Sequence, residues 1–240
     1  MNTIEIAAMG LRDDVDRMRT LSHNVANLTT PGYKRQVVVG ASFASAVQAA
    51  REAAPVGGPT VHTDLAKGRL RVTGGALDLA LGEREFLVVQ KGDGALALSR
   101  GGALQLDAQG RLATGEGYLV QEAKGALTAP STGSAVRLDA AGHLLADGRE
   151  LGSLRIVAML PDAGVTSIGD GLFDAPDLAS LPAVQAPALH VGEVEASNVV
   201  ASQEMVQIMT TMRHAESMAK LIQGADELIE KAIRKLGDMN

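Results

Sequence analysis

The chain has 240 residues with no cysteine, no tryptophan and a formal net charge of −6. The lack of cysteine excludes disulfides, thiolate metal sites and thiol catalysis, and the dispersed lysines and arginines provide no basic face for nucleic acid. Aromatic residues make up only 2% of the chain, which argues against a deep pocket for a small molecule.

The first predicted element is an amphipathic helix near the N-terminus. Asn2, with Glu5 three residues later, has the spacing of a capping box. Because this stretch has no basic segment, we expect no signal peptide. No segment of the chain is apolar over the roughly 20 residues that a membrane span needs. Apolar side chains recur every seven positions along the helix, at Ile4, Leu11, Met18 and Val25.

A turn is predicted directly after this helix. Thr30 precedes a proline and is therefore disfavoured in the helical conformation. Pro31 and Gly32 suit the two central positions of a type II turn, in which the second position requires a positive φ. The helix is therefore expected to end near Leu28.

A connector and a β-rich region follow. Residues 41–54 are rich in alanine and predict a short helix, which a cluster of proline and glycine follows. From residue 67 to about residue 160, short alternating apolar runs are separated by glycine-containing turns, which is typical of half-buried antiparallel strands. The clearest runs are residues 77–81, 86–90, 95–99 and 103–106.

Turn chemistry recurs within the β-rich region. Residues 91–94, Lys-Gly-Asp-Gly, join two runs as a predicted hairpin. The stretches 106–112 and 138–144 repeat one pattern, in which Asp and Gly stand at the ends of a four-residue turn, and they predict two equivalent hairpins. Residues 162–188 contain repeated Pro and Gly and predict an irregular loop that returns the chain.

The last predicted element is a long C-terminal helix. Its apolar positions alternate steps of three and four, which indicates a heptad seam. Asp226 is the one polar member, which either fixes the register of the helix or is exposed to solvent. The seam positions are Met205, Ile208, Met212, Ala215, Ala219, Ile222, Asp226, Ile229, Ile233 and Leu236.

A stripe this narrow does not stabilise an isolated helix, so the C-terminal helix needs a partner helix. The N-terminal helix is the nearest candidate, and neighbouring copies would supply further partners. The predicted fold class is therefore α+β, in which N- and C-terminal α-helices form a coiled-coil-like domain around a central, mainly antiparallel β domain. The predicted domains are an N-terminal helix and turn (1–36), a connector (37–66), a central β-rich domain (67–190) and a C-terminal coiled-coil helix (191–240).

Three stretches of the chain resemble the flagellar basal-body rod and hook proteins. Residues 22–35 resemble the N-terminal signature of that family, in which a helix ends in an N-x-A-N-x-x-T-P-G-aromatic turn. Residues 73–121 and 195–227 resemble the family in the same order and spacing. Residues 82–87 depart from the family's usual G-D-G-F-F run, so the resemblance does not fix the local turn there. The chain length and the C-terminal tail are most similar to the proximal rod protein, with the distal rod protein next.

The resemblance implies a structural subunit that polymerises through its terminal helices into the axial drive shaft of the flagellum, which transmits torque. The implied partners are other rod subunits, copies of the chain itself and the flagellar type III export apparatus. The implied location is the periplasmic rod of the basal body, reached without a cleaved signal peptide. No enzymatic activity, cofactor, metal, nucleic acid or membrane insertion is expected.

The resemblance also implies roles for residues around the turn. Asn24 and Asn27 would satisfy backbone groups where the helix ends, although ordinary C-capping explains them equally well. Pro31 and Gly32 would set the turn, and Tyr33 would anchor the connector. These residues and the helix positions named above form the predicted subunit-packing set.

Two alternatives remain open at this point. A distal rod or hook-type subunit shares the same chemistry and differs in its position along the axis. A β-domain hydrolase or binding module that dimerises through a coiled coil belongs to another class. Ser217 and Lys220 match the S-x-x-K spacing of some acyl-transfer enzymes, but no companion S-D-N or K-T-G element is present.

Overall fold

The computed structural model describes residues 3–40, 60–122, 125–129, 135–159, 164–178 and 181–237. The chain divides into two compact units. The predicted cap at Asn2 and the predicted helix within 41–54 lie outside the described residues. The helical unit comprises Met1–Ala26, Gln36–His62 and Val200–Asn240, and the β unit comprises Asn27–Arg35 and Thr63–Val199.

The described residues of the helical unit include two long helices. Helix α1 spans Thr3–Ala26 and ends two residues before the predicted position, and helix α2 spans Ala201–Gly237. Strand β1 (Gln36–Val39) pairs with strand β2 (Thr60–Thr63). The helices pack antiparallel, because Asp14 and Asn24 of α1 contact His214 and Glu204 of α2 respectively.

The predicted coiled-coil-like domain is wrong. Three of the proposed α2 seam residues, Met205, Met212 and Asp226, are exposed, so the seam does not face α1. Glu204 and Thr211 are buried instead, with exposures of 0% and 4%. Both are polar, and the predicted seam, which follows apolar side chains apart from Asp226, passes one residue beside each of them. The structure instead has two terminal helices, packed partly through polar contacts, and a β-rich unit between them in the sequence.

The β unit contains short strands whose pairings are all antiparallel among the described residues. The strands are β3 (Leu70–Val72), β4 (Asp78–Ala80), β5 (Glu85–Gln90), β6 (Leu96–Ser99), β7 (Gly101–Leu106), β8 (Leu112–Thr114), β9 (Leu119–Glu122), β10 (Gly125–Ala126), β11 (Val136–Leu138), β12 (His143–Ala146), β13 (Arg149–Ser153), β14 (Ile156–Ala158), β15 (Thr166–Gly169), β16 (Leu172–Asp174), β17 (His190–Val191) and β18 (Glu193–Glu195).

One sheet of 11 strands dominates the β unit, in the order β15-β16-β6-β5-β9-β8-β7-β4-β17, with β10 beside β9 and β14 beside β5. Smaller sheets are formed by β11-β12-β13 and by β18-β3. The four predicted strand runs are confirmed as β4 to β7. The prediction of an irregular loop over 162–188 is wrong in part, because Gly169 and Gly171 lie at the turn of the β15-β16 hairpin.

Strand β5 separates two hydrophobic cores. Leu87 and Val89 pack into one core, and Phe86 and Val88 pack into the other. All four side chains are at most 1% exposed, so the strand is not half-buried as predicted. The consecutive apolar residues of this run are the pattern of a strand covered on both faces.

The predicted turns between strands are confirmed. In the 91–94 hairpin, the Lys91 N–H donates to the Ala95 carbonyl at 2.9 Å. In the repeated turns, the Oδ1 atoms of Asp107 and Asp139 each accept two backbone N–H groups within their own turn. These aspartates therefore stabilise hairpins, as their spacing to the following glycine predicted.

Arg84 occupies a left-handed conformation at the start of β5, with φ of 57°. Aligned with the G-D-G-F-F pattern, Arg84 stands at the second glycine, so the turn keeps its left-handed residue although the side chain has changed. A left-handed conformation costs a residue with a Cβ about 1–2 kcal/mol relative to glycine.

We therefore expect Arg84→Gly to stabilise the β unit by about 1 kcal/mol, since the Arg84 side chain is exposed and the strain is removed. Urea unfolding would measure the change. As a control, Arg71→Gly in exposed strand β3 should destabilise the unit by about 0.5–1 kcal/mol, because there glycine only adds chain entropy. Destabilisation by both variants would contradict the argument.

Candidate subunit-packing site

The predicted packing residues of α1 border a more deeply buried row. Leu11, Met18 and Val25 are half-buried. The neighbouring row of Ala7, Asp14 and Leu21 is buried, with exposures of 3%, 5% and 3%. Nothing is described for the side chain of Ile4. The buried row contains Asp14, an acidic residue that a search for regularly spaced apolar side chains does not find.

The predicted seam residues of α2 divide between two surfaces. Ile208, Ala215, Ala219 and Ile222 are half-buried, whereas Met205, Met212 and Asp226 are exposed. The side chains of Ile229, Ile233 and Leu236 lie outside the described set. The predicted seam therefore combines residues that lie on different faces of α2.

Polar contacts connect the two helices and strand β1. The Nδ1 atom of His214 lies 2.6 Å from the carboxylate of Asp14. The Asn24 amide donates to the Glu204 carboxylate at 3.0 Å and to the Gln36 carbonyl at 2.8 Å, and its oxygen accepts from the Gln36 N–H at 2.9 Å. Asn24 thus holds α1, α2 and β1 together.

A second apolar surface of α2 is exposed to solvent. Met205, Met209 and Met212 share one face by their spacing of four and three residues, and they are 51%, 59% and 51% exposed. Val206 beside them is also exposed. We call these four residues the Met ridge. A contiguous exposed apolar surface is typical of an interaction site.

A groove of about 390 Å³ lies along α1. Nearly all of its exposed lining atoms are apolar. We call it the α1 groove, and we define it by Val15, Met18, Arg19, Ser22 and His23 of α1 with Ala215 of α2; Asp14 also borders it. Among the described residues of the helical unit, the groove and the Met ridge are two surfaces that suit contact with another helix.

The predicted turn after α1 is present at Thr30 to Tyr33. The Tyr33 N–H donates to the Thr30 carbonyl at 3.3 Å, and Gly32 has φ of 68°. Pro31 is exposed and Tyr33 is buried. A Cβ on Gly32 would lie 2.9 Å from the Cβ of Arg100, so both φ and space require glycine there.

A buried ion cluster, which no local pattern in the sequence indicates, lies beside this turn. The Oε1 atom of Glu195 accepts from Lys34 Nζ at 2.6 Å and from the Gly68 N–H at 2.7 Å. Its Oε2 atom accepts from Arg100 Nε at 3.0 Å and Nη2 at 2.7 Å. The Glu195 carbonyl also accepts from the Gly32 N–H at 2.7 Å. The side chains of Lys34, Arg100 and Glu195, here called the ion cluster, are each 1% exposed.

The cluster sets the protonation of its members. Burial acts to raise the pKa of Glu195, but the charges of Arg100 and Lys34 and the hydrogen bonds from Lys34 and Gly68 outweigh burial and lower that pKa. Burial lowers the pKa of Lys34, and the charge of Arg100 adds to this, against the opposing attraction of Glu195. Two cations thus share one anion in a site without water access.

Asn198 ties the same part of the chain together through backbone groups. Its side-chain oxygen accepts from the Arg35 N–H at 2.7 Å, and its amide donates to the carbonyls of Asp64 at 2.9 Å and Ala66 at 3.0 Å. Lys34 Nζ donates to the same Ala66 carbonyl at 2.8 Å. We call the bonded segments 27–35, 64–68 and 193–199 the joint. The Asn27 carboxamide accepts from the Thr30 hydroxyl at 3.1 Å within the first segment.

The described residues offer little for catalysis or metal binding. No three His, Asp or Glu side chains within these residues come together as a metal site. The Ser217 hydroxyl of the S-x-x-K match donates to the Arg213 carbonyl of its own helix at 2.9 Å. None of the described helices has the length and apolar character needed to span a bilayer.

Two family models match the chain. Residues 81–146 match the "Flagellar hook protein FlgE/F/G D1 domain", which covers the strands around β5 and the two repeated turns. Residues 190–235 match the "Flagellar basal body rod FlgEFG protein C-terminal", which covers Glu195, Asn198 and most of α2.

Curated relatives match over nearly the whole chain. The flagellar basal-body rod protein FlgF of Salmonella typhimurium is 30% identical, covering 92% of this chain and 92% of the relative. The basal-body rod protein FlgG of Caulobacter vibrioides is 27% identical, covering 96% of this chain and 97% of the relative. FlgG of Buchnera aphidicola from Acyrthosiphon pisum is also 27% identical, covering 94% and 96%.

Proposed function

The chain belongs to the flagellar basal-body rod protein family, and from that membership we propose that it polymerises through its two terminal helices. It is a structural subunit of the flagellar basal body and not an enzyme. The alternative of a hydrolase or binding module is therefore set aside. Assembly with other rod subunits and with copies of itself follows from the family.

The observation that supports polymerisation through the helices is the apolar surface they leave exposed. The Met ridge and the α1 groove remain open after α1 and α2 have packed against each other. An isolated chain would expose this surface to water, and contact with further helices would cover it. The predicted packing residues are proposed to act in these contacts, some directly and some by holding α1 and α2 together.

The finer assignments are also proposals. The slightly higher identity to the FlgF relative supports a proximal position in the rod, with a distal position as the alternative. Export through the flagellar type III apparatus and a periplasmic position along the rod are proposed because the resemblance implies them. The predicted domains are proposed as the units of assembly.

A motility assay with Ile222→Asp tests the role of the helices. Ile222 is half-buried on α2, so a carboxylate there should cost on the order of 2–4 kcal/mol. In a strain lacking the native gene, we expect this variant to abolish swimming while its β unit stays resistant to protease.

The matched control is Ser217→Asp, which introduces the same side chain at an exposed position of the same helix. It should support swimming. Normal swimming with Ile222→Asp would remove α2 packing from the mechanism. Failure of the wild-type chain itself to restore swimming would overturn the rod function.

A further inference from the structure

We propose that the Met ridge of one copy lies in the α1 groove of a second copy, with Glu216 opposite Arg12. The inference rests on the proposed function and adds to it an occupant and a register. The two surfaces of the helical unit correspond in length and in charge.

The lengths of the two surfaces agree. The ridge extends from Met205 to Met212, a span of seven steps along the helix, and the groove extends from Val15 to His23, a span of eight. At about 1.5 Å per helical residue, the ridge is roughly 10.5 Å long and the groove roughly 12 Å. Flexible methionine side chains suit such a contact, because they adapt to an irregular apolar surface.

The charges agree in one orientation. Glu216 continues the ridge one turn beyond Met212, and it is exposed. Arg12 precedes Val15 by three residues, so it stands at the matching end of the groove, and it is exposed as well. Running the incoming α2 antiparallel to α1 places Met212 beside Val15 and Glu216 beside Arg12. The opposite direction places Glu216 beyond His23 and loses this pairing.

The size of the surface predicts a contact that is stable only within an assembly. Four partly exposed side chains supply far less than the ~800 Å² per partner of a standard stable interface. A single contact is therefore weak. Because ridge and groove are different surfaces, the contact is heterologous, and each copy can offer its groove to one neighbour and its ridge to another.

Cysteine cross-linking tests the register, since the chain has no cysteine of its own. Val15→Cys and Met212→Cys chains carrying different epitope tags would be produced together as minor components beside the wild-type chain, which keeps the rods assembled and the cells swimming. Oxidation of isolated basal bodies should then give a mixed disulfide dimer. The control pairs Val15→Cys with Met205→Cys, about 10.5 Å further along the helix, and should yield at least tenfold less dimer.

Each outcome decides the proposal. A dominant Val15–Met212 product supports both the occupant and the register. A dominant Val15–Met205 product, or equal yields, overturns the register. Swimming cells that give no mixed dimer in either pair overturn the second-copy inference and leave the rod function intact. Loss of swimming in the uncross-linked wild-type complement would instead count against the rod function.

Discussion

Glu195→Gln is expected to destabilise the β unit by about 3–5 kcal/mol, because it leaves Lys34 and Arg100 as buried cations without their anion. Glutamine keeps the size of the side chain and one hydrogen-bonding oxygen, so the loss arises from charge rather than packing. Urea unfolding should show a lower midpoint with an unchanged slope.

The matched control is Glu193→Gln in the same strand. Its carboxylate lies 3.6 Å from His190 and its side chain is 29% exposed, so the same chemical change should cost less than about 1 kcal/mol. Equal losses of unfolding free energy in the two variants would show that the buried ion cluster stabilises the protein no more than the partly exposed Glu193 does.

The lowered pKa of Glu195 adds a dependence on pH to the same prediction. A carboxylate whose folded pKa lies below its ordinary value of 4.5 stabilises the protein above that value. This contribution is lost as the pH falls towards the folded pKa. Glu195→Gln should therefore reduce the loss of unfolding free energy that occurs as the pH falls below 4.5.

Phe86→Ala is expected to cost the β unit about 3–5 kcal/mol, because it removes a fully buried ring. The ring meets Phe173 edge to face with centroids 5.6 Å apart. The Arg100 guanidinium lies 5.2 Å from its centroid, so the ring also supports a member of the ion cluster. Denaturant unfolding of the full chain would measure the loss.

Two further variants separate the contributions. Phe86→Leu keeps most of the volume and removes only the aromatic contacts, so it should cost less than about 2 kcal/mol. Val72→Ala on β3, where the side chain is 76% exposed, should change stability by less than about 0.5 kcal/mol. A similar loss for Phe86→Ala and Val72→Ala would contradict the assignment of Phe86 to a core.

The features predicted correctly from the sequence are those that depend on neighbouring residues. The end of α1, the Pro31-Gly32 turn and the hairpins around Asp107 and Asp139 each involve atoms within a few residues of one another. Local hydrogen bonding and allowed φ values determine such features. They are therefore visible in a single sequence.

The features that were missed depend on distant pairings. Lys34 and Glu195 are 161 residues apart in the chain, and no local pattern connects them. The prediction of the helix seam was wrong for a related reason. Glu204 and Asp14 are buried against polar partners on the other helix, and a search for regularly spaced apolar residues does not include them. Strand β5 was assigned one buried face because the second core is built from residues far along the chain.

The joint brings the two ends of the β unit together. The first and last segments of the β unit are bonded directly, with the Gly32 nitrogen 2.7 Å from the Glu195 oxygen. The points at which the chain first enters and finally leaves the β unit are therefore neighbours. Loops inside the unit can lengthen at small entropic cost without moving these two points apart. Lengthening such a loop would therefore be a route to subunits with a new surface on the β unit and unchanged terminal helices.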